Sequence, residues 1–399
     1  MKLRTAIALA AAITLRAQHH MGDMNAAEMQ LMNYASGTST NPDSWPMPMV
    51  MRQLGSWNAM LMANAFITST QQTGPRGHDK FFSTNWMMSN FQHRVGSRGA
   101  FQFDLMLSLE PATVTNRSYP LLFQTGETAF GVPLVDAQHP HNFIMALGFH
   151  YTHQLGENTM VDAYFAPVGD PALGPVAYPH RASAMELPQA TLSHHWQDST
   201  HIADDVITLG LTHKKIRVEA SGFHGSEPGE NRWIIESGPI DSWSARVWYF
   251  PSPNWAAQIS MGRLAHPEAL EPGDRVRSTA SLSYTKGGWS SSLIWGRNHD
   301  TATHRNLNSY LVESVAAIRR KNFITGRFEL VDKDELFETG AVYRIGAYTI
   351  GYTRDIGSIP HLQSGIGANV SFYTLPDAIK PDYGDHPMSV NVYLRLRLR

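Results

Sequence analysis

From about residue 54 to the end of the chain, apolar and polar side chains alternate with a period of two. Phe101, Phe103, Leu105, Leu107 and Leu109 alternate with Gln102, Asp104, Met106 and Ser108. Ile216, Val218 and Ala220 alternate with Lys215, Arg217, Glu219 and Ser221, and Phe328 and Leu330 with Arg327 and Glu329. The last segment repeats the pattern, with Val390, Val392, Leu394, Leu396 and Leu398 set between Asn391, Tyr393, Arg395, Arg397 and Arg399. Successive strand residues point to opposite faces, so each segment predicts a strand with one apolar and one polar side. Helical spacing is confined to a short stretch, Ala26 to Met32.

A soluble β-sandwich also alternates, and the connections separate the two folds. Tight turns fall at Gly96-Ser97-Arg98, Gly156-Glu157-Asn158, Lys214-Lys215, Pro251-Ser252-Pro253, Gly287-Gly288 and Lys321-Asn322. Between them run long polar segments near 111–142, 167–201, 225–242, 264–276 and 299–307. Short turns alternating with long loops are the pattern of outer-membrane barrels. Many segments have the roughly 9–12 residues of a tilted membrane crossing. Trp57, Trp86, Tyr151, Tyr164, Trp243, Trp248, Trp255, Trp289, Tyr310, Tyr343 and Tyr348 lie near strand ends, where interfacial girdles form. The predicted fold is therefore all-β, a transmembrane antiparallel barrel. About seventeen segments alternate, and single-chain bacterial barrels are even-numbered, so sixteen strands are expected, with 14 or 18 next. The doubtful segments are 190–197, 335–345 and 375–387. In this register Leu107 faces lipid and Ser108 the lumen, so arginine is expected to be costly at the first and tolerated at the second.

Composition adds limits. Charged residues make up 17% of the 399 positions, below the roughly 25% of soluble domains. The net charge of −2 gives no reason to expect nucleic acid, and the absence of cysteine excludes disulfides, thiolate metal sites and a cysteine nucleophile. At the start, Lys2 and Arg4 precede an apolar stretch from Thr5 to Leu15, which reads as an export signal over 1–17. That stretch is too short to span a bilayer. No apolar run elsewhere reaches 18 residues, so membrane crossing would fall to strands. The expected organisation is a signal at 1–17, a Met/His-rich periplasmic leader at 18–53, and a barrel over 54–399 in the outer membrane, in contact with its lipid.

Four stretches carry a resemblance to known proteins: Leu134-Val135-Asp136-Ala137-Gln138-His139-Pro140-His141, Ala166 to Pro175, Gln197 to Asp205, and Val331 to Leu336. The chain resembles porin-type barrels in general. More closely, it resembles an uncharacterised family of predicted outer-membrane proteins sometimes encoded beside copper-resistance genes. That resemblance implies the barrel and a genetic setting, and carries over no chemistry.

Candidate chemistry falls in three places. The leader is rich in soft and imidazole donors: His19, His20, Met21, Met24, Met29 and Met32, then Met47, Met49 and Met51. Such a tail could capture copper, while the plainer reading is a disordered leader. Metal-ligand candidates here are Met21 and Met24. The loops hold a second set: His139, His141, His180, His194, His195 and His201, with Asp136, Glu186, Asp198, Asp204 and Asp205 beside them. These types suit zinc or copper, but their spacing matches no established ligand motif. Residue type alone therefore favours loops pinned to the barrel wall, holding less than one tightly bound metal per chain. Ser193 beside His194 and Ser199 beside His201 are the nearest approach to a hydrolase, and no G-x-S-x-G elbow is present. The third set is the polar strand face: Arg217, Glu219, Arg327, Glu329, Arg395 and Arg397, expected to line the lumen and filter small solutes. Passive passage of small polar or ionic solutes is thus the leading expectation, with no resident cofactor and no enzyme activity. A copper-binding or efflux-associated protein, a soluble all-β periplasmic protein and an outer-membrane hydrolase are the alternatives.

Overall fold

The alternating segments become strands because backbone N–H and C=O groups facing lipid must all be paired, which a closed sheet achieves without an edge. A computed structural model describes residues 24–270 and 273–399. The expected signal segment and His19, His20 and Met21 lie outside the described residues. Sixteen antiparallel strands close the barrel: β1 (Trp57–Gln72), β2 (Lys80–Val95), β3 (Gly99–Leu107), β4 (Ile144–Gly156), β5 (Thr159–Gly169), β6 (Ala203–His213), β7 (Ile216–His224) and β8 (Ser242–Tyr249). The circuit continues through β9 (Trp255–Leu264), β10 (Arg275–Lys286), β11 (Trp289–Asp300), β12 (Asn306–Ile318), β13 (Asn322–Lys333), β14 (Tyr343–Ile359), β15 (Leu362–Thr374) and β16 (Met388–Leu398). Each strand pairs with its sequence neighbour, and β16 closes on β1 from Ser389↔Gln72 to Arg397↔Asn64. Where β16 ends, a short strand (Val50–Leu54) takes over the same edge of β1. The doubtful segment 190–197 adds no strand and ends in a helical turn (His194–Gln197), 375–387 forms two short helical turns, and 335–345 contributes only the start of β14.

The barrel is turned inside out relative to a soluble protein. Ile207, Leu209 and Leu211 of β6 project outward, with Leu209 65% exposed, while Thr208 between them is buried. Ile216 and Val218 of β7, Leu293 of β11, Ile350 of β14 and Ile366 of β15 continue the apolar exterior. Such a belt belongs against hydrocarbon rather than water. Among the described residues no helix is long and apolar enough to cross a membrane. Four expected girdle residues correct the sequence reading, two of them being Trp86, packed with the inward Met62 and Met88, and Tyr343, packed with Val331 and Ile345. Trp248 and Tyr164 are buried in the lumen, Trp248 donating its indole N–H to Glu219 (2.8 Å) and Tyr164 stacking on His150.

The lumen is filled. A helix at the start, α1 (Ala26–Met32), is closed by a capping box in which Asn25 and Glu28 satisfy each other's backbone N–H. Its Ala27 and Leu31 are buried, and the Glu28 carbonyl accepts from Gln92 of β2 (2.9 Å). Tyr34 then lies on His150 of β4, and Thr38 accepts from Arg246 of β8 (3.1 Å). Met47 and Met49 pack on Met62, Met88, Met106 and Met145, which face inward from four strands. The stretch expected as a free periplasmic leader is therefore, over its described part, packed into the barrel.

From the other end, residues 170–202 fold inward, and nearly all of them are buried. The loop at 108–143 carries a hairpin of Tyr119–Ala129 with Val132–Gln138 that lies beside it. This changes the expectation at Ser108. The residue does face inward, but it is buried, and its hydroxyl accepts the Glu110 N–H (3.0 Å). Leu209→Arg is expected to destabilise the refolded barrel by about 2–4 kcal/mol near the bilayer midplane. Ser108→Arg should keep the barrel, read as unchanged gel mobility without heating, but release the loops to protease. A Ser108→Arg protein as protease-resistant as the unaltered chain would contradict the packing.

Candidate functional site at the filled constriction

The inward loop is held by charged groups of the wall, several of which strand alternation had placed in the lumen. Glu313 of β12 accepts from Arg181 of the loop (2.5 Å), Arg327 of β13 (3.0 Å) and the Ser183 hydroxyl (2.8 Å). The second side of Arg181 meets Asp198 (2.9 Å), closing the loop on itself. Arg327 also donates to the Gln189 and Ala190 carbonyls, and Glu329 accepts both the N–H and the hydroxyl of Ser193. Arg395 and Arg397 of β16 both pair with Glu186 of the loop. Toward the short-turn end, Arg217 meets Asp162 (2.6 Å) and Glu219 (2.9 Å), and Arg246 shares Glu219 (2.8 Å). All six expected lumen residues thus lie on the inner wall, and each is occupied in binding the plug or a neighbour. At β11 the wall has glycine: a Cβ on Gly296 would stand 2.3 Å from the Trp196 carbonyl oxygen, so only glycine lets the loop seat there.

Above this anchorage, five of the six loop histidines converge. The ring centroids of His139 and His195 are 5.6 Å apart, those of His194 and His195 5.2 Å, and those of His194 and His201 5.3 Å. His141 lies 5.2 Å from His201 and is held by Glu110 (3.0 Å). His180 stands apart, its ring against Trp86. Ligand atoms of His139, His194 and His195 lie within 4.8 Å of one another, as do those of His195, Glu227 and Glu268. Met24 is half-buried at the first described position.

Burial dominates the electrostatics. It pushes His139 and His201 well below the ordinary imidazole range, and neighbouring histidines add to the effect. Burial likewise brings His194 down to about 4 and His180 to about 3, so the rings are neutral near pH 7. Burial alone would push the Asp198 carboxyl up, but the His194 hydrogen bond and Arg181 hold it well below the usual carboxylate range. Asp170, buried at the loop's start, is pushed up to about 8.

The serines next to histidines bond carboxylates rather than the imidazoles. Ser193 donates to Glu329, while Ser199 donates to Glu227 (3.1 Å) and accepts from Arg277 (2.8 Å). At the long-loop mouth a cavity of about 680 Å³ is lined by Glu127, Glu268, Asp300, Asp334, Glu335 and Glu338, with Arg76 and Arg305 the main counter-charges. At the short-turn end a second cavity of about 450 Å³ borders α1 and is lined by Lys214, Lys215, Arg217 and Asp43 among others.

The barrel has the fold of bacterial outer-membrane porins. It is similar to the anion-selective porin from Comamonas acidovorans, with a TM-score of 0.54 and 12% identity over 86% of this chain and 100% of that one. The OmpF protein of Salmonella typhi, solved in complex with daunomycin, gives 0.56 and 9% identity over 88% and 100%. The trimer form of OmpT, an outer-membrane protein of Vibrio cholerae, gives 0.51 and 9% identity over 85% and 99%. No protein-family model and no curated protein sequence matches the chain. The resemblance to the family met beside copper-resistance genes therefore rests on the four sequence stretches alone. Much of those stretches borders the filled constriction: His139 and His141, the start of the inward loop, Asp198 and His201, and Lys333, which donates to Gln124.

Alternation along single strands missed Asp162, Arg246 and Glu313. The signal for Arg246 was its parity with Ser244 and Trp248, all on one face of β8. For Arg181, Glu110 and Glu227, which sit in loops, the sequence holds no comparable signal.

Proposed function

We propose that the chain is an outer-membrane, porin-like channel for small polar or ionic solutes whose passage is closed at rest by its own chain. The observation that carries this reading is the double filling of the lumen. Residues 24–49 occupy one end, the loop 170–202 occupies the other, and Asn41 joins them by donating to the His180 carbonyl (3.0 Å) and accepting from Ala182 N–H (2.9 Å). The cavities at the two mouths mark the approach on each side. Solutes cross when the plug yields, and the wall arginines and carboxylates then face the passage. This reading needs no catalytic group, in keeping with serines that bond carboxylates.

Planar-bilayer recording tests it. The refolded mature chain is expected to show little steady conductance, whereas a chain lacking residues 24–49 should show frequent, larger openings. A large steady conductance in the intact chain would refute the closed resting state. A silent bilayer for both proteins, with the barrel folded, would refute the channel itself.

A further inference from the structure

His139 and His194 in the lumen are arranged as metal ligands usually are, with His195 beside them, a feature separate from solute passage. In a metal-bound histidine one ring nitrogen takes the ion, and the other donates to a carboxylate or carbonyl that fixes the ring. His139 Nδ1 faces the Pro140 carbonyl (3.2 Å), which can only accept, so Nδ1 carries the proton and the neutral ring leaves its Nε2 lone pair bare. His194 Nδ1 meets Asp198 Oδ1 (2.7 Å), and His201 Nδ1 the Asp198 carbonyl (2.9 Å). Both ring nitrogens of His195 and the Nε2 atoms of His139 and His201 are buried and make no hydrogen bond. Nearby carboxylates do not satisfy them. Glu127 is 3.0 Å from His139 Nε2 but off the hydrogen-bonding direction, and Glu227 is 3.5 Å from His195 Nδ1. Buried polar atoms without partners are rare in folded proteins and call for an explanation.

We propose that His139, His194 and His195 bind one divalent transition-metal ion of the zinc type, with Glu227 or Glu268 adjacent as a further oxygen donor. Around a tetrahedral ion with bonds near 2.1 Å, ligand nitrogens stand about 3.4 Å apart. Separations within 4.8 Å close to that value with small side-chain rotations. The position of His195 is built in. Gly126 has φ +112, and a Cβ there would come within 2.6 Å of the His195 ring, so the hairpin offers bare backbone for the imidazole to lie on. Borderline-soft imidazole with carboxylate suits zinc-type ions, whereas calcium and magnesium take oxygen donors. Approach is provided as well: Glu127 and Glu268 line the acidic mouth cavity and reach the cluster.

The test uses the mature chain purified in detergent, stripped with chelator and titrated with zinc against a chromophoric competitor. One ion per chain is expected. His139→Ala and His195→Ala, each checked for heat-modifiable gel mobility, should weaken it by about 100-fold or more, at or beyond the upper end of second-shell losses. The pair His299→Ala/His304→Ala, at the outer rim, should leave it unchanged. Zinc-edge X-ray absorption of the unaltered protein supplies a readout that does not depend on the variants folding, and should show three imidazole ligands. No stoichiometric ion, an ion unaffected by His139→Ala and His195→Ala, loss in the rim variant, or fewer than two imidazoles at the zinc edge would each overturn the site.

Discussion

Glu313→Ala is expected to release the inward loop and to cost about 3–5 kcal/mol, the usual consequence of breaking a buried ion pair from one side. Glu313 is fully buried and is the shared partner of Arg181 on the loop and Arg327 on the wall. Removing it strands two guanidinium groups in the lumen. Arg181 keeps Asp198, and Arg327 keeps the Gln189 and Ala190 carbonyls, so the barrel survives while the loop loses its central anchor. Urea unfolding in lipid vesicles should show an early transition in the loop, reported by a probe there, ahead of the barrel. Planar-bilayer recordings should show new openings. Glu313→Gln, which keeps the shape and an acceptor oxygen, should fall between the two. A loop as stable in Glu313→Ala as in the unaltered chain would mean that the pairs hold nothing in place.

Acid should open the same constriction. His180 and His194 are buried, with folded pKa values of about 3 and about 4 against an ordinary 6.5. The released loop therefore binds protons at these rings more readily than the packed loop, and with His139 and His201 lowered as well this outweighs Asp170, which the packed loop keeps protonated. The stability these histidines lend is complete above about pH 6.5 and drains away as pH falls toward 4 and then 3. Asp198, held below its ordinary value of 3.8, acts in the same direction lower down: its contribution is present above that value and lost as pH falls through the depressed one. Conductance of the refolded chain should rise reversibly between about pH 6 and pH 4, with gel mobility still that of a folded barrel. Conductance that falls or stays flat over this interval would show that the neutral imidazoles do not hold the loop.

The barrel was legible because each strand is read from its own few residues: Ile207, Leu209 and Leu211 must find lipid, and Thr208 must not. The charged wall was legible for the same reason, since Arg217 and Glu219 share a parity opposite to Ile216 and Val218. What fills the barrel was not. Arg181 meets Glu313 across 132 positions, and Arg246 meets Thr38 across 208, so each partner is chosen by the closed shape rather than by local sequence. The histidines show the same limit. His139 and His195 lie in different loops, and only folding of both into one lumen makes them neighbours. Trp248 was misread because aromatic residues near strand ends usually mark the interface. Its parity with Arg246 placed it inside.

The seam between the first and last strands has a consequence for how the molecule is made. Thr70 of β1 hydrogen-bonds Asn391 of β16 across 321 positions, so the seam to which this contact belongs bears the largest loop-closure entropy of the sheet and forms late in folding. The N-terminal segment, by contrast, touches β2, β4 and β8, which come together before that closure. It can therefore be seated while the sheet is still an open, curling ribbon, with no need to thread a finished pore. Assembly on this order encloses the plug as the barrel forms, so the lumen is filled from the moment the sheet closes.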